Sequence, residues 1–316
     1  MERLQVLDFV VIGATGWLGQ ATLEYLFGHL PAAQWPRVHA FASSARQLVL
    51  RDGTTVAVQP LSALSALRPP RPALVFHYAF QTKDRVAGNS VEAYIQHNRH
   101  IREALAQFVD ANSVAGLFVP SSGAAYAGLD MANHSDGAIY GRCKLEDERA
   151  FEAMGAQYGF AVCSPRVFNV SGPYINKHHL YALASIITAC LRNEPIVVRA
   201  THPVIRSYYS VMDLIALCCH LLLAERAPAF HAFDTAGTEA VEVGALAIRC
   251  QRLLAPHLTI ERPPLSTAPA DRYVGDADAI RQWERTAGIS PQPLDEQILA
   301  TANYLRNLDL LANKGQ

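Results

Sequence analysis

Charge is scarce in this chain: Asp, Glu, Lys and Arg make up 17% of its 316 residues, 28 acidic against 27 basic. A net charge of −1 excludes a global field that would draw in nucleic acid or an anionic membrane, so any anion has to be held by a local pocket. Cysteine is too sparse and too irregularly spaced for a disulfide scaffold or a zinc module. The six are Cys143, Cys163, Cys190, Cys218, Cys219 and Cys250, and without paired metal-ligand spacing they read as reduced thiols, the adjacent Cys218 and Cys219 as core. Long apolar runs are missing too. The most apolar stretch, Val211 to Ala224, is interrupted by Asp213 and His220 and is too short to span a bilayer. Glu2, Arg3 and Asp8 break the charge and apolar order of a signal peptide. A cytoplasmic protein with no membrane or nucleic-acid partner is the expectation.

What is present is apolar, at 50% of the residues. That balance excludes disorder and suits one large α/β domain or two modest ones. The run Val6 to Ile12, closed by Gly13, predicts a buried parallel strand. Apolar positions Leu23, Leu26, Phe27 and Leu30 then follow the spacing of an amphipathic helix running from Trp17 to just before Pro31. Further strands are expected at Val38–Ala42, Leu74–Tyr78, Gly116–Pro120 and Phe160–Val167, with helices between Val91 and Asp110 and between Tyr140 and Tyr158. This alternation predicts a Rossmann-type, doubly wound parallel sheet. After Gly172 and Pro173 the rhythm changes. Helices are expected around Leu180–Arg192, from Met212, and over Leu294–Leu311, with a loop over Ala255–Ala270.

Gly13, Gly16 and Gly19 in GATGWLG stand between that first strand and its helix. One glycine permits the tight turn, one lets a pyrophosphate approach the backbone, and one lets the helix pack closely. Gly13, Thr15, Gly16, Trp17, Leu18 and Gly19 are therefore the expected phosphate cradle of a dinucleotide. The chain has no acidic residue between Glu24 and Asp52 to bind the ribose hydroxyls of NAD; the second strand runs instead into Ser43, Ser44 and Arg46. Two hydroxyls and a planar cation suit an extra phosphate, so NADP is expected, with NAD the alternative.

Tyr140 and Lys144 lie four apart at the start of a predicted helix and share one face. A phenol needs a neighbouring cation to serve as an acid–base group near neutral pH, and Lys144 can supply it. The strand ending at Pro120 delivers Ser121 and Ser122 to the turn SSGAAYAG at what would be the carboxyl edge of the sheet, where ligands of such folds bind. A serine hydroxyl there can hold a substrate alcohol or carbonyl while the tyrosine moves a proton and a nicotinamide moves hydride.

With GATGWLG, VFHYA, Asn98 in its helix, SSGAAYAG, YGRCK, RVFNVSGP and RSYYSVMDL in this order, the chain resembles the extended short-chain dehydrogenase/reductase family of nucleotide-sugar epimerases, dehydratases and ketoreductases. The resemblance implies Ser122, Tyr140 and Lys144 as the catalytic set, and Tyr78, Ala79, Asn98, Tyr140 and Lys144 as further cofactor contacts. It implies Asn169 and Arg206 as contacts to a sugar-nucleotide diphosphate, although Arg206 suits a structural salt bridge as well. It also implies a Rossmann domain of 1–170 plus about 206–235, a discontinuous substrate domain of about 171–205 plus 236–316, and a homodimer formed through the Asn98 and Tyr140 helices. Sugar 4,6-dehydratases of the family carry an Asp-Glu pair, and 3,5-epimerases a cysteine, where this chain has Gly123 and Ala124. Neither can transfer a proton. Keto-sugar reduction and 4-epimerisation are what this leaves, with a reductase of non-sugar carbonyls or a non-catalytic dinucleotide sensor as alternatives. His178 and His179 in NKHHL are candidates for acid–base work or substrate bonding. Lys83, after HYAFQT, is a candidate contact or part of a solvated charge run.

Overall fold

The computed structural model describes residues 2–86, 88, 90–224 and 229–313. The chain divides into two compact units, one of Met1–Val167 with Ile215–Asp234 and the other of Phe168–Leu214 with Thr235–Gln316.

The first unit is built on an eight-stranded sheet. Its strands are β1 (Asp8–Ile12), β2 (Val38–Ala42), β3 (Arg46–Val49), β4 (Thr55–Pro60), β5 (Ala73–His77), β6 (Val114–Phe118), then Ala161–Cys163 and Phe230–His231. From one edge the order is Phe230–His231, Ala161–Cys163, β6, β5, β1, β2, β4, β3. All neighbours run parallel except the edge strand β3, which pairs antiparallel with β4. Because β1 lies between β2 and β5, the strand order reverses at β1. In such sheets the crevice at the carboxyl ends of the reversal point is where ligands bind.

Side-chain alternation explains why the central strands are apolar throughout. Val10 and Ile12 of β1, Val75 of β5 and Leu117 beyond them pack on one face with Leu105, Phe108 and Phe151, which come from helices α2 (Val91–Ala111) and, numbering the intervening short helix Ala125–Gly128 as α3, α4 (Asp136–Tyr158). Residues of opposite parity face the other way: Phe76 meets Phe118 edge-on at 6.1 Å, and Tyr78 reaches Thr22 of α1 (Trp17–His29). With both faces covered, alternation of apolar and polar residues disappears from the sequence.

Local differences from the expected elements have local causes. Residues Glu2–Val6 form a 3₁₀ turn, so the first strand starts at Asp8. The run Phe160–Val167 is two strands, because Pro165 has no N–H for a ladder; its second half, Arg166–Val167, pairs with Ser121–Ser122. Strand β4 was not evident, since Thr55–Pro60 alternates exposed and buried residues near the sheet edge. Helix α4 begins at Asp136, with the Ser135 side chain accepting the Ala138 N–H as its cap.

In the second unit, helices Ala182–Arg192, Val243–Leu254 and Leu294–Asn313 pack on one another. Strand Val204–Ser207 lies between Ala240–Glu242 and Asp271–Tyr273. Inside the expected loop over Ala255–Ala270, Ile260–Glu261 pairs with Ile196–Val197.

Candidate active site

The glycine turn leaves β1 at the strand-order reversal. Gly13 has φ +84°, a left-handed conformation, and a Cβ there would sit 2.7 Å from the Ala79 backbone nitrogen. A Cβ on Gly19 would lie 2.3 Å from Gly13 O. The turn is tied to the end of β2, with Gly13 N and Ala14 N donating to Phe41 O at 2.8 and 2.9 Å. Gly16 caps α1 without a side chain, and the first turn holds no acidic residue. A helix N-terminus of this kind favours a phosphate. Thr15 and Leu18 are half-buried and Trp17 is buried; Thr15 O accepts Gln20 Nε2 at 3.0 Å. A close-packed turn with glycine at positions 13, 16 and 19 fits the pyrophosphate of a dinucleotide.

At the end of β2, Ser43, Ser44 and Arg46 are exposed, and Arg46 Nη2 donates to Ser44 Oγ at 2.9 Å. On the other side of β1, Tyr78 and Ala79 bring their backbone against Gly13. The half-buried Tyr78 side chain is engaged within the protein: its hydroxyl is 2.6 Å from Thr22 Oγ1 and its ring is edge-on to Phe118 at 5.5 Å. Asn98 also acts within the protein. Its Oδ1 accepts the Gln81 N–H at 2.8 Å and its Nδ2 donates to Tyr94 O, while Tyr94 OH donates to Gln81 O, so the Asn98 turn of α2 grips the loop after β5.

Ser122 belongs to β7 (Ser121–Ser122), which pairs in parallel with Arg166–Val167, and its Oγ accepts the Ala124 N–H at 3.2 Å. Lys144, 7% exposed, donates from Nζ to Pro120 O at 3.1 Å, two residues before Ser122. The same ammonium lies 3.7 Å from the Phe80 ring centroid and 6.0 Å from that of Tyr140, and the Phe80 and Tyr140 rings meet edge-on at 5.7 Å. A continuous line of contacts thus runs from Gly13 through Ala79 and Phe80 to Lys144, Tyr140 and the strand end that carries Ser122. Burial lowers the Lys144 pKa to about 8, against the opposing pull of Asp147, Cys143 and Glu148. It is still a cation at neutral pH. Buried His77 at the end of β5 is lowered to about 3, by burial and then by the Lys144 charge. Lys83 is exposed, on the 3₁₀ turn Lys83–Arg85.

The Gly123–Ala124 turn packs tightly on α4: a Cβ on Gly141 would lie 2.0 Å from Ala124 O. No role for Phe80, His77 or Pro120 follows from the sequence; their signal there is position, His77 inside VFHYA, Phe80 directly after it and Pro120 directly before SSGAAYAG.

The other expected contacts lie in the second unit. Asn169 Nδ2 donates to Ser207 O at 3.3 Å and Tyr273 O at 3.2 Å. Arg206 Nη2 donates to Asp271 Oδ2 at 2.7 Å and its Nη1 to Asp271 O at 3.0 Å, the salt bridge that the sequence left open. His178 Nε2 is 2.7 Å from Ile175 O, and His179 is exposed. Among the described residues there is no cluster of His, Cys, Asp and Glu able to hold a metal ion, and no helix is long and apolar enough to cross a membrane.

Sheet, glycine turn and strand-order reversal define the class: a Rossmann-type protein with a dinucleotide-binding fold. Residues 9–234 match the family model described as NAD dependent epimerase/dehydratase family, and the chain belongs to that family. A search of curated proteins finds no match. Among solved structures, the chain is similar to a UDP-N-acetylglucosamine 4-epimerase from Methanobrevibacter ruminantium in complex with UDP-N-acetylmuramic acid, with a TM-score of 0.73 at 16% identity, covering 96% of this chain and 99% of that one. It is similar to a UDP-glucose 4-epimerase from Thermotoga maritima with UDP-glucose, with a TM-score of 0.71 at 15% identity over 96% and 99%. A Bacillus cereus UDP-glucuronic acid 4-epimerase, in complex with UDP-glucuronic acid and NAD, has a TM-score of 0.71 at 16% identity over 96% and 100%.

Proposed function

We propose that the chain is an NADP-linked enzyme transferring hydride at a ring carbon of a nucleotide-activated sugar, either reducing a keto-sugar or inverting carbon 4. The observation that carries this reading is the buried Lys144, bonded to Pro120 O beside Ser122 and stacked over the Phe80 ring that meets Tyr140. Its positive charge favours the Tyr140 phenolate, so Tyr140 can accept or return a proton from the substrate oxygen. Ser122 Oγ would hydrogen-bond the same oxygen. When bound, the nicotinamide supplies the hydride. Gly123 and Ala124 bring no further acid or base, which argues against dehydration.

In this reading the first unit holds the cofactor through Gly13, Thr15, Gly16, Trp17, Leu18, Gly19, Ala79 and the Tyr78 backbone, and the second holds the sugar nucleotide. The Ser44–Arg46 pair, with no carboxylate at the end of β2, supports NADP. The UDP-sugar epimerases of the same fold support 4-epimerisation. The cytoplasm is the proposed compartment, consistent with six buried free cysteines, and a homodimer through α2 and α4 the proposed assembly. The engagement of Arg206 by Asp271 favours a second reading, a carbonyl substrate without a diphosphate.

The test has two arms read by mass spectrometry: nucleotide sugars incubated with NADP+ or NAD+, and their 4-keto derivatives incubated with NADPH deuterated at the transferable position. Deuterium in the product with NADPH consumed means a reductase. An isomerised, unlabelled sugar without consumption means an epimerase. Cofactor binding with no sugar turnover refutes the sugar reading.

A further inference from the structure

The geometry of α4 points beyond Tyr140 and Lys144, to a group that deepens the proposed Ser122–Tyr140–Lys144 reading and rests on it. Tyr140, Lys144 and Glu148 recur at four-residue intervals on α4, so the three side chains share one helix face. Glu148 is 6% exposed. It accepts a short hydrogen bond from Ser121 Oγ, and its two oxygens take the Arg166 guanidinium side-on, Nε to Oε1 at 3.0 Å and Nη2 to Oε2 at 2.8 Å.

Ser121 and Arg166 are register partners in the two-residue pairing of β7 with Arg166–Val167. One carboxylate on α4 therefore holds both strands of that pair. The backbone pairing is short, two residues on each strand, flanked by bonds from Ser121 N to Pro165 O at 2.9 Å and from Gly123 N to Val167 O at 3.0 Å. Arg166 is anchored in turn. Its N–H donates to Phe233 O at 2.7 Å and its guanidinium lies 4.9 Å from the centroid of the Tyr126 ring, whose hydroxyl donates to Asp234 at 3.0 and 3.2 Å.

A buried ion pair is weak evidence for stability, because apolar residues of similar volume often serve as well or better. A polar link is needed where register matters, since a displacement of about 1 Å in a reacting group can cost about 100-fold in rate. Ser122 stands on the clamped strand; Tyr140 and Lys144 stand on the clamping helix. We infer that Glu148 is a positioning residue that, through Ser121 and Arg166, sets the register of Ser122 against Tyr140 and Lys144.

The test uses the full chain with Ser121→Ala, Ser121→Thr and Glu148→Gln. Ser121→Ala leaves the Glu148–Arg166 pair intact, so it reads the link independently of whether Glu148→Gln folds. Two readouts are taken: kcat and KM with NADPH and the sugar found active above, and amide hydrogen exchange of peptides spanning 119–124. Expected for Ser121→Ala is a kcat lower by about 10- to 100-fold with KM and NADPH affinity within about twofold, faster exchange confined to 119–124, and recovery of most of kcat in Ser121→Thr. Unchanged kcat and exchange would overturn the inference, as would a uniform rise in exchange across the unit with kcat and KM altered together, the sign of plain destabilisation. Should the wild-type chain turn over no substrate, the proposed function fails by itself. Exchange at 119–124 then decides this inference alone: faster in Ser121→Ala supports it, unchanged refutes it.

Discussion

Replacing Lys144 by Met isolates the energetics of a charge that the fold keeps out of water. The ammonium is 7% exposed, and burial draws its pKa from 10.5 to about 8. Below pH 8 the lysine is charged in both folded and unfolded chains, so the folded state bears the whole desolvation cost. Between 8 and 10.5 the unfolded chain holds a proton that the folded one has released, and stability therefore rises with pH across that window. At about 1.4 kcal/mol per pH unit, the drop corresponds to about 3 kcal/mol. Met removes that cost and also the bond to Pro120 O, the loss of which costs about 1–3 kcal/mol. At pH 7 the variant should thus match the wild type or exceed it by up to about 2 kcal/mol, and by pH 10 it should be the less stable of the two. The assay is thermal unfolding followed by circular dichroism from pH 7 to 10, plotted as wild type minus variant. Buried tyrosines such as Tyr94 and Tyr208, whose pKa values burial raises, destabilise both chains alike at high pH and cancel in this difference. At about 2–4 °C per kcal/mol for a unit of this size, the difference in Tm should move by roughly 5–10 °C. Parallel curves for the two proteins would refute the claim that Lys144 is buried as a cation.

Gly19→Ala would place a Cβ 2.3 Å from Gly13 O and 2.8 Å from Ala14 Cα; with backbone on both sides, a loss of about 1–3 kcal/mol in thermal unfolding is expected, together with at least tenfold weaker NADPH binding in a fluorescence titration. Arg46→Ala should weaken NADPH by about 10- to 100-fold, the worth of a charge-assisted hydrogen bond, and leave NADH unchanged; equal losses for both cofactors would count against a phosphate role. Asn98→Ala frees the Gln81 N–H that it holds at 2.8 Å and should cost about 1–3 kcal/mol, with faster amide exchange confined to the loop after β5. Arg206→Ala should raise KM for a nucleotide sugar several-fold in steady-state kinetics, whereas an unchanged KM favours the non-sugar substrate.

Much of the first unit was legible because its signals are local. A glycine at φ +84° closing an apolar strand needs no distant partner to be recognised, and the pairing of Tyr140 with Lys144 follows from the helical repeat alone. Elements whose identity depends on a neighbour were harder. Strand β4 carries alternation without an apolar run, and β7 exists only by pairing with Arg166–Val167. Asn98 shows the same limit at the level of a single residue. The family resemblance implies a cofactor contact there, while the bonds of its amide to Gln81 and Tyr94 appear only in the folded chain.

Backbone sterics and the periodicities of helix and strand act over a few residues, so the sequence by itself determined the strand–glycine–helix cradle, the alternation of the sheet, and the presence of a phenol, a lysine and a serine turn in the right order. Burial and charge pairing act between residues far apart along the chain, and these only the tertiary structure decided. It put Lys144 against Pro120, 24 positions away, joined Glu148 to Ser121 across 27, and engaged Arg206 with Asp271 across 65. The reactivity of each group depends on how much water the fold removes from it and which charge replaces that water. Neither quantity exists until the chain has closed.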